Sequence, residues 1–172
     1  MDRLIAGISD PRDKALILFL RDSGLRVGES VMLDTSMVKF ETEELADGRV
    51  ETTATGSLSR SKSARQRVFY IPAKAAEALK AYLDTKRAED DSPALFTTRS
   101  GARLSTEQVR RMVHGYCDRL KVKRFPLREF RHRLALRLAN SGCDLVTLCG
   151  VLGHSTVNST IRWFPRLDLK VR

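Results

Sequence analysis

The sequence predicts an α+β fold, a mainly helical single domain built around a small three-stranded antiparallel sheet. Three observations lead there. Apolar residues recur on a helical period before residue 35 and after residue 72. Residues 37–72 switch to alternating, β-branched and aromatic composition broken by turn residues. The 172 residues contain no internal repeat, low-complexity tract or interdomain linker, and a domain of that length buries roughly 70% of the surface of its unfolded chain.

Each element has its own signal. Asp10 and Pro11 supply an N-cap and a first-turn residue for a helix over 11–22, and Gly24 follows its end. LRVGESVML reads as a second short helix, stopped near Asp34. VKFETEE, GRVETTAT and QRVFYIP supply three strands, with a turn at Asp47-Gly48 and a polar tip, GSLSRSKSAR, between the second and third. Pro72 closes the third strand, and AKAAEALKAYLDTKRA has the period of an amphipathic helix. A loop through EDDSP and a short ALFTTRSG segment lead to a helix over about 105–120. PLREFRHRLALRLANSG forms the next helix, with Pro126 near its first turn, Leu134 and Leu138 facing inward and Gly142 at its end. DLVTLCGVLG and VNSTIRWF read as two short helices.

Charge narrows the partner. Lys and Arg number 31 against 21 Asp and Glu, a formal net charge of +10. Such an excess favours a polyanion, and on duplex DNA each phosphate contact adds about −0.9 to the log-log salt slope of affinity. RNA-binding, ribosomal and membrane-surface proteins share this balance, so it gains meaning only beside motifs. Cys117, Cys143 and Cys149 form no CxxC pair and have no paired histidines at metal spacing. Free thiols, a reducing cytosol-type compartment and no metal or cofactor are expected. No basic-then-apolar leader opens the chain, and no run approaches the roughly 18 apolar residues of a membrane span. The expected location is cytoplasmic, or wherever the DNA is.

Breaking a DNA phosphodiester without metal needs cations for the nonbridging oxygens, a proton donor for the leaving 5′ oxygen and an in-line nucleophile. Arginine suits the first task, because its planar fork donates parallel hydrogen bonds and keeps its charge. GLRVGES places Arg26 and Glu29 on one helical face, a pair that an exposed ion pair also explains. The basic hairpin tip around GSLSRSKSAR is read as carrying Arg60, Lys62, Arg65 and Arg67. REFRH gathers Arg128, Arg131 and His132 on a helix, and LGH places His154 at a helix boundary.

In order and near-family spacing over about 140 residues, these segments resemble the catalytic domain of the tyrosine recombinases, or phage integrases. The resemblance implies site-specific strand cleavage and rejoining on duplex DNA through a 3′-phosphotyrosyl intermediate. It casts Arg26 and Arg131 as phosphate clamps, Glu29 as the brace of Arg26, Lys62 as the acid for the 5′ oxygen, and His154 as a hydrogen-bond donor to a nonbridging oxygen. Within the basic tip, a plain phosphate contact is the other reading of Lys62, and Arg60, Arg65 and Arg67 are expected DNA contacts. Arg128 stands where the family most often has histidine; a guanidinium holds phosphate but accepts no proton, which leaves that task to His132 or solvent.

Trp163 departs further. It stands nine positions after His154, where the family carries its tyrosine nucleophile, and no tyrosine follows Tyr116. Indole has no ionisable oxygen, so covalent cleavage by this chain is not expected. A recombinase whose tyrosine was replaced, a natural noncatalytic pseudo-recombinase acting as a DNA-binding or assembly module, and a partner supplying tyrosine in trans all remain open. The resemblance also implies self-association on DNA, as a tetramer or with active relatives. Only 23 residues precede Gly24, so residues 1–172 are read as the catalytic domain with the N-terminal DNA-clamping domain absent.

Overall fold

The computed structural model describes residues 1–58, 67–86, 92–154 and 156–161. Arg60, Lys62, Arg65 and Trp163 lie outside the described residues. The elements run α1 (Asp2–Ala6), α2 (Pro11–Asp22), α3 (Val27–Val31), a 3-10 turn (Thr35–Met37), β1 (Val38–Glu44), β2 (Val50–Leu58), β3 (Arg67–Ile71), α4 (Ala73–Lys86), α5 (Thr106–Arg119), α6 (Arg128–Asn140), α7 (Leu145–Leu152) and α8 (Val157–Ile161). The predicted α+β class, with helices around one three-stranded antiparallel sheet, is the fold observed.

α2 is the central pillar. Asp10 caps it by accepting from the Asp13 amide at 3.2 Å, and Pro11 fills the first turn, where no amide donor is needed. Ala15 through Leu20 are all buried, so this helix is wrapped on every side. It packs against α4 and α6, and the Tyr116 hydroxyl on α5 donates to Asp13 at 2.9 Å. α1 had no sequence signal. Five residues cannot show a helical period, and such a short helix persists only because Leu4 and Ile5 are buried.

The sheet has the order β1-β2-β3, antiparallel throughout. Two cross-strand rows face the core: Val38, Gly56 and Phe69, and Phe40, Ala54 and Ile71. Small residues on the central strand make room for the aromatic ring. A side chain at Gly56 would lie 2.3 Å from the Phe69 ring and 2.6 Å from the Met37 carbonyl. Phe69 meets Phe19 of α2 edge-on, and Phe96 packs against both Phe19 and Tyr82 of α4.

Two boundaries differ from expectation. α3 is a single turn rather than the full LRVGESVML segment, because Arg26 is extended as its N-cap and Glu29 caps it from within. The helix expected from Pro126 begins at Arg128, after Leu127. Within the short ALFTTRSG segment and just after it, isolated bridges join Asp34 to Ala94 and Thr97 to Arg103, and Arg103 donates to the Val31 and Leu33 carbonyls. Toward the C-terminus, Ala135, Leu148 and Leu152 form a second small core between α6 and α7. No helix among the described residues is long and apolar enough to cross a membrane.

Candidate phosphate-binding site

The site is assembled where three chain reversals meet. After α2 the chain turns at Gly24, whose φ of +66° is open to glycine and costly for other residues. Leu25 is buried, and Arg26 emerges as the N-cap of α3 with its side chain 48% exposed. Glu29, one turn on, accepts from the Arg26 backbone amide at 2.7 Å and from its guanidinium at 3.0 Å. The carboxylate therefore ties down both ends of Arg26.

Arg67, the first residue of β3, approaches the same carboxylate from the sheet. Its Nη1 donates to Glu29 at 2.9 Å, and its Nη2 donates to the carbonyls of Gly24 at 2.8 Å and Val151 at 2.5 Å. Burial alone would raise the pKa of Glu29. The Arg26 amide, the Arg67 charge and the Arg26 guanidinium outweigh it and hold the carboxyl below the usual glutamate range. Arg67 corrects the placement expected for it: it belongs to the strand rather than the basic tip, and its side chain is only 13% exposed. The sequence contained a signal. Period-two alternation puts residue 67 on the face of Phe69 and Ile71, which is the core face.

α6 brings the second arginine. Arg131 is 4% exposed and donates Nη1 to the Gly24 carbonyl at 2.8 Å and Nη2 to the Leu152 carbonyl. Expected as a direct phosphate clamp, it lies beneath the surface and joins the turn after α2 to the end of α7. Arg128 stands exposed at the start of the same helix, and His132 is half-buried beside Arg131.

α7 ends at Gly153, with φ +56°, and the turn delivers His154. Its amide donates to the Cys149 carbonyl at 3.0 Å, and Nδ1 lies 2.9 Å from the Thr160 hydroxyl of α8. Burial, followed by the positive charges of Arg131, Arg26 and Arg67, depresses the His154 pKa below the ordinary imidazole value. The neutral form of the imidazole is thereby favoured. Arg26, Glu29, Arg67, Arg131 and His154 converge from four separate elements into one cationic cluster with a single carboxylate inside it.

Three arginines, one glutamate and a histidine, brought together on helices around a three-stranded sheet, form a cationic cluster on an integrase-like scaffold. The chain belongs to the phage integrase family, whose model matches residues 1–169. The tyrosine recombinase XerC of Thermodesulfovibrio yellowstonii is 32% identical over 167 residues, covering 92% of this chain and 51% of the relative. The tyrosine recombinase XerA of Thermococcus onnurineus is 32% identical over 152 residues, covering 87% and 49%. Among solved structures, XerA recombinase superposes with a TM-score of 0.79 at 25% identity, covering 97% of this chain and 58% of that one. The XerH site-specific recombinase bound to a palindromic difH substrate shares the fold, with a TM-score of 0.74 at 20% identity over 94% of this chain and 46% of that one. The chain spans about half the length of the curated relatives it matches.

Proposed function

We propose that this chain binds duplex DNA as the catalytic domain of a tyrosine recombinase, gripping the phosphate at which such enzymes cleave and rejoin a strand. Arg26 meets a nonbridging oxygen from the exposed side. Arg131 supplies positive charge from below, and His154 offers a ring N–H to the second oxygen. Lys62, Arg60, Arg65 and Arg128 contact phosphates along the backbone, and once a tyrosine attacks the phosphate Lys62 protonates the leaving 5′ oxygen. The observation that carries this reading is the convergence of the segments bearing Arg26, Arg131 and His154: Arg131 donates to the Gly24 and Leu152 carbonyls, and Arg67 to the Gly24 and Val151 carbonyls, which joins the turn before Arg26 to the end of the helix before His154. The relatives support it: XerH is seen bound to difH substrate, and a λ integrase dimer is seen bound to a COC′ core site. Assembly of several copies on one DNA site follows from the same reading.

Trp163 removes the attacking oxygen, so the chain holds the phosphate without forming a covalent bond to it. A second reading follows from that residue, a noncatalytic pseudo-recombinase that binds DNA or assembles with active relatives. Incubating Trp163→Tyr with nicked recombination-site duplex separates the two. A covalent protein–DNA adduct through the 3′ phosphate, absent with Trp163, supports the recombinase reading. Tight binding of the Trp163→Tyr variant with no adduct supports the noncatalytic module. Failure of the unaltered chain to bind duplex DNA would sink both.

A further inference from the structure

We propose that Arg67 is the positioning residue of this site, holding the GLR segment and the LGH turn at a fixed separation so that Arg26 and His154 address the same phosphate. The inference rests on the phosphate-grip reading above. One guanidinium spans three acceptors on two segments that Arg131 also bridges from below: the Glu29 carboxylate and Gly24 carbonyl on one side, and the Val151 carbonyl on the other. Glu29 in turn fixes the backbone and guanidinium of Arg26, and Val151 lies three residues before His154.

Gly153 supplies an independent observation. A Cβ there would lie 2.6 Å from Arg67 Nε, 2.7 Å from Cδ and 2.8 Å from Cζ. The glycine of LGH therefore leaves room for the Arg67 guanidinium, beyond satisfying its own positive φ. A planar fork can reach three acceptors at once; a lysine ammonium on a flexible stem is a point donor and cannot hold the same arrangement. The strand end thus fixes the distance between two loops that touch the phosphate, while the Arg67 side chain stays largely out of solvent.

The test compares Arg67→Lys, Arg67→Gln and Gly153→Asn in this chain, at a temperature where circular dichroism shows each folded. Asn tolerates left-handed φ, so Gly153→Asn displaces the guanidinium with little added backbone strain. The readouts are affinity for a duplex, its salt slope, and the His154 imidazole titration by NMR. Expected are affinity losses of about tenfold in all three variants, and a raised His154 midpoint in both Arg67 variants, in the lysine form despite its conserved charge. If Arg67→Lys retains affinity while Arg67→Gln flattens the salt slope by about 0.9, Arg67 is a direct phosphate contact and the proposal is overturned. Lower thermal stability with unchanged affinity and unchanged His154 midpoint overturns it too, leaving a merely structural arginine. Should both Arg67 variants unfold, Gly153→Asn decides by the same criteria. If the unaltered chain binds no duplex, the phosphate-grip reading fails, and the His154 midpoint in Arg67→Lys still decides whether Arg67 positions that turn.

Discussion

Arg131 donates to the carbonyl of Gly24 across 107 residues of sequence, at 2.8 Å and out of reach of solvent. The same carbonyl accepts from Arg67, so two guanidinium groups from α6 and β3 converge on one turn. One backbone acceptor thus holds two cations and fixes the geometry of the cluster.

Replacing that arginine is therefore expected to cost stability as well as function. Arg131→Met removes two charge-assisted hydrogen bonds and leaves the Leu152 carbonyl short of a donor, a loss of about 3 kcal/mol. Urea unfolding should show a lowered midpoint with an unchanged slope. A change under about 1 kcal/mol would show that the buried fork contributes little.

Arg26 should behave in the opposite way. Its guanidinium is half-exposed and paired with Glu29, so Arg26→Ala is expected to shift stability by only about 0.5 kcal/mol. Duplex affinity should fall, and the salt slope should become shallower by about 0.9. Titrations across a range of salt concentrations measure both, and an unchanged slope would mean that Arg26 touches no phosphate.

The depressed pKa of His154 has a definite sign for pH dependence. The unfolded chain binds this proton more readily than the folded one, so stability falls as pH drops below the ordinary imidazole value of about 6.5, and the loss levels off below the folded midpoint. Glu29 adds a separate, more acidic limb: its stabilisation is present above the ordinary glutamate value of 4.5 and is lost as pH falls through the lower folded value. Unfolding free energies measured from pH 8 to pH 3 should show both limbs. His154→Asn should erase only the upper one. Duplex DNA, by placing a phosphate against the imidazole, should raise its NMR midpoint, and a midpoint unmoved by saturating duplex would argue that no phosphate reaches His154.

Gly24→Ala tests the turn itself. The added methyl would sit 3.1 Å from Leu134 and 3.2 Å from the Val151 carbonyl, at a φ of +66°. We expect a loss of about 2 kcal/mol, of which left-handed strain supplies roughly 1–2. Gly28→Ala, where a Cβ meets nothing within 4 Å and lies inside α3, should be neutral or slightly stabilising in the same thermal melt.

Much of the scaffold was legible in the chain. Asp10-Pro11 marked the start of α2, Asp47-Gly48 marked the β1–β2 turn, and alternation marked three strands whose order then followed from short connections. Local signals of this kind arise within a few residues of one another, so a sequence carries them whole. α1 escaped because its helix depends on burial against distant residues, and α3 came out shorter because Glu29 caps it from within.

The site divides along the same line. Sequence alone determined the family motifs, the residue types in them and the tryptophan at position 163, because these are matters of chemistry at fixed spacing. Tertiary structure alone decided that Arg131 lies beneath the surface, that Arg67 leaves the basic tip to join Glu29, Gly24 and Val151, and that burial and three nearby arginines lower the His154 pKa. The physical reason is range. Charge and hydrogen-bond capacity belong to a residue, whereas burial and the carbonyls that receive an arginine's donors come from other segments, 84 residues away for Val151 from Arg67 and 107 for Gly24 from Arg131.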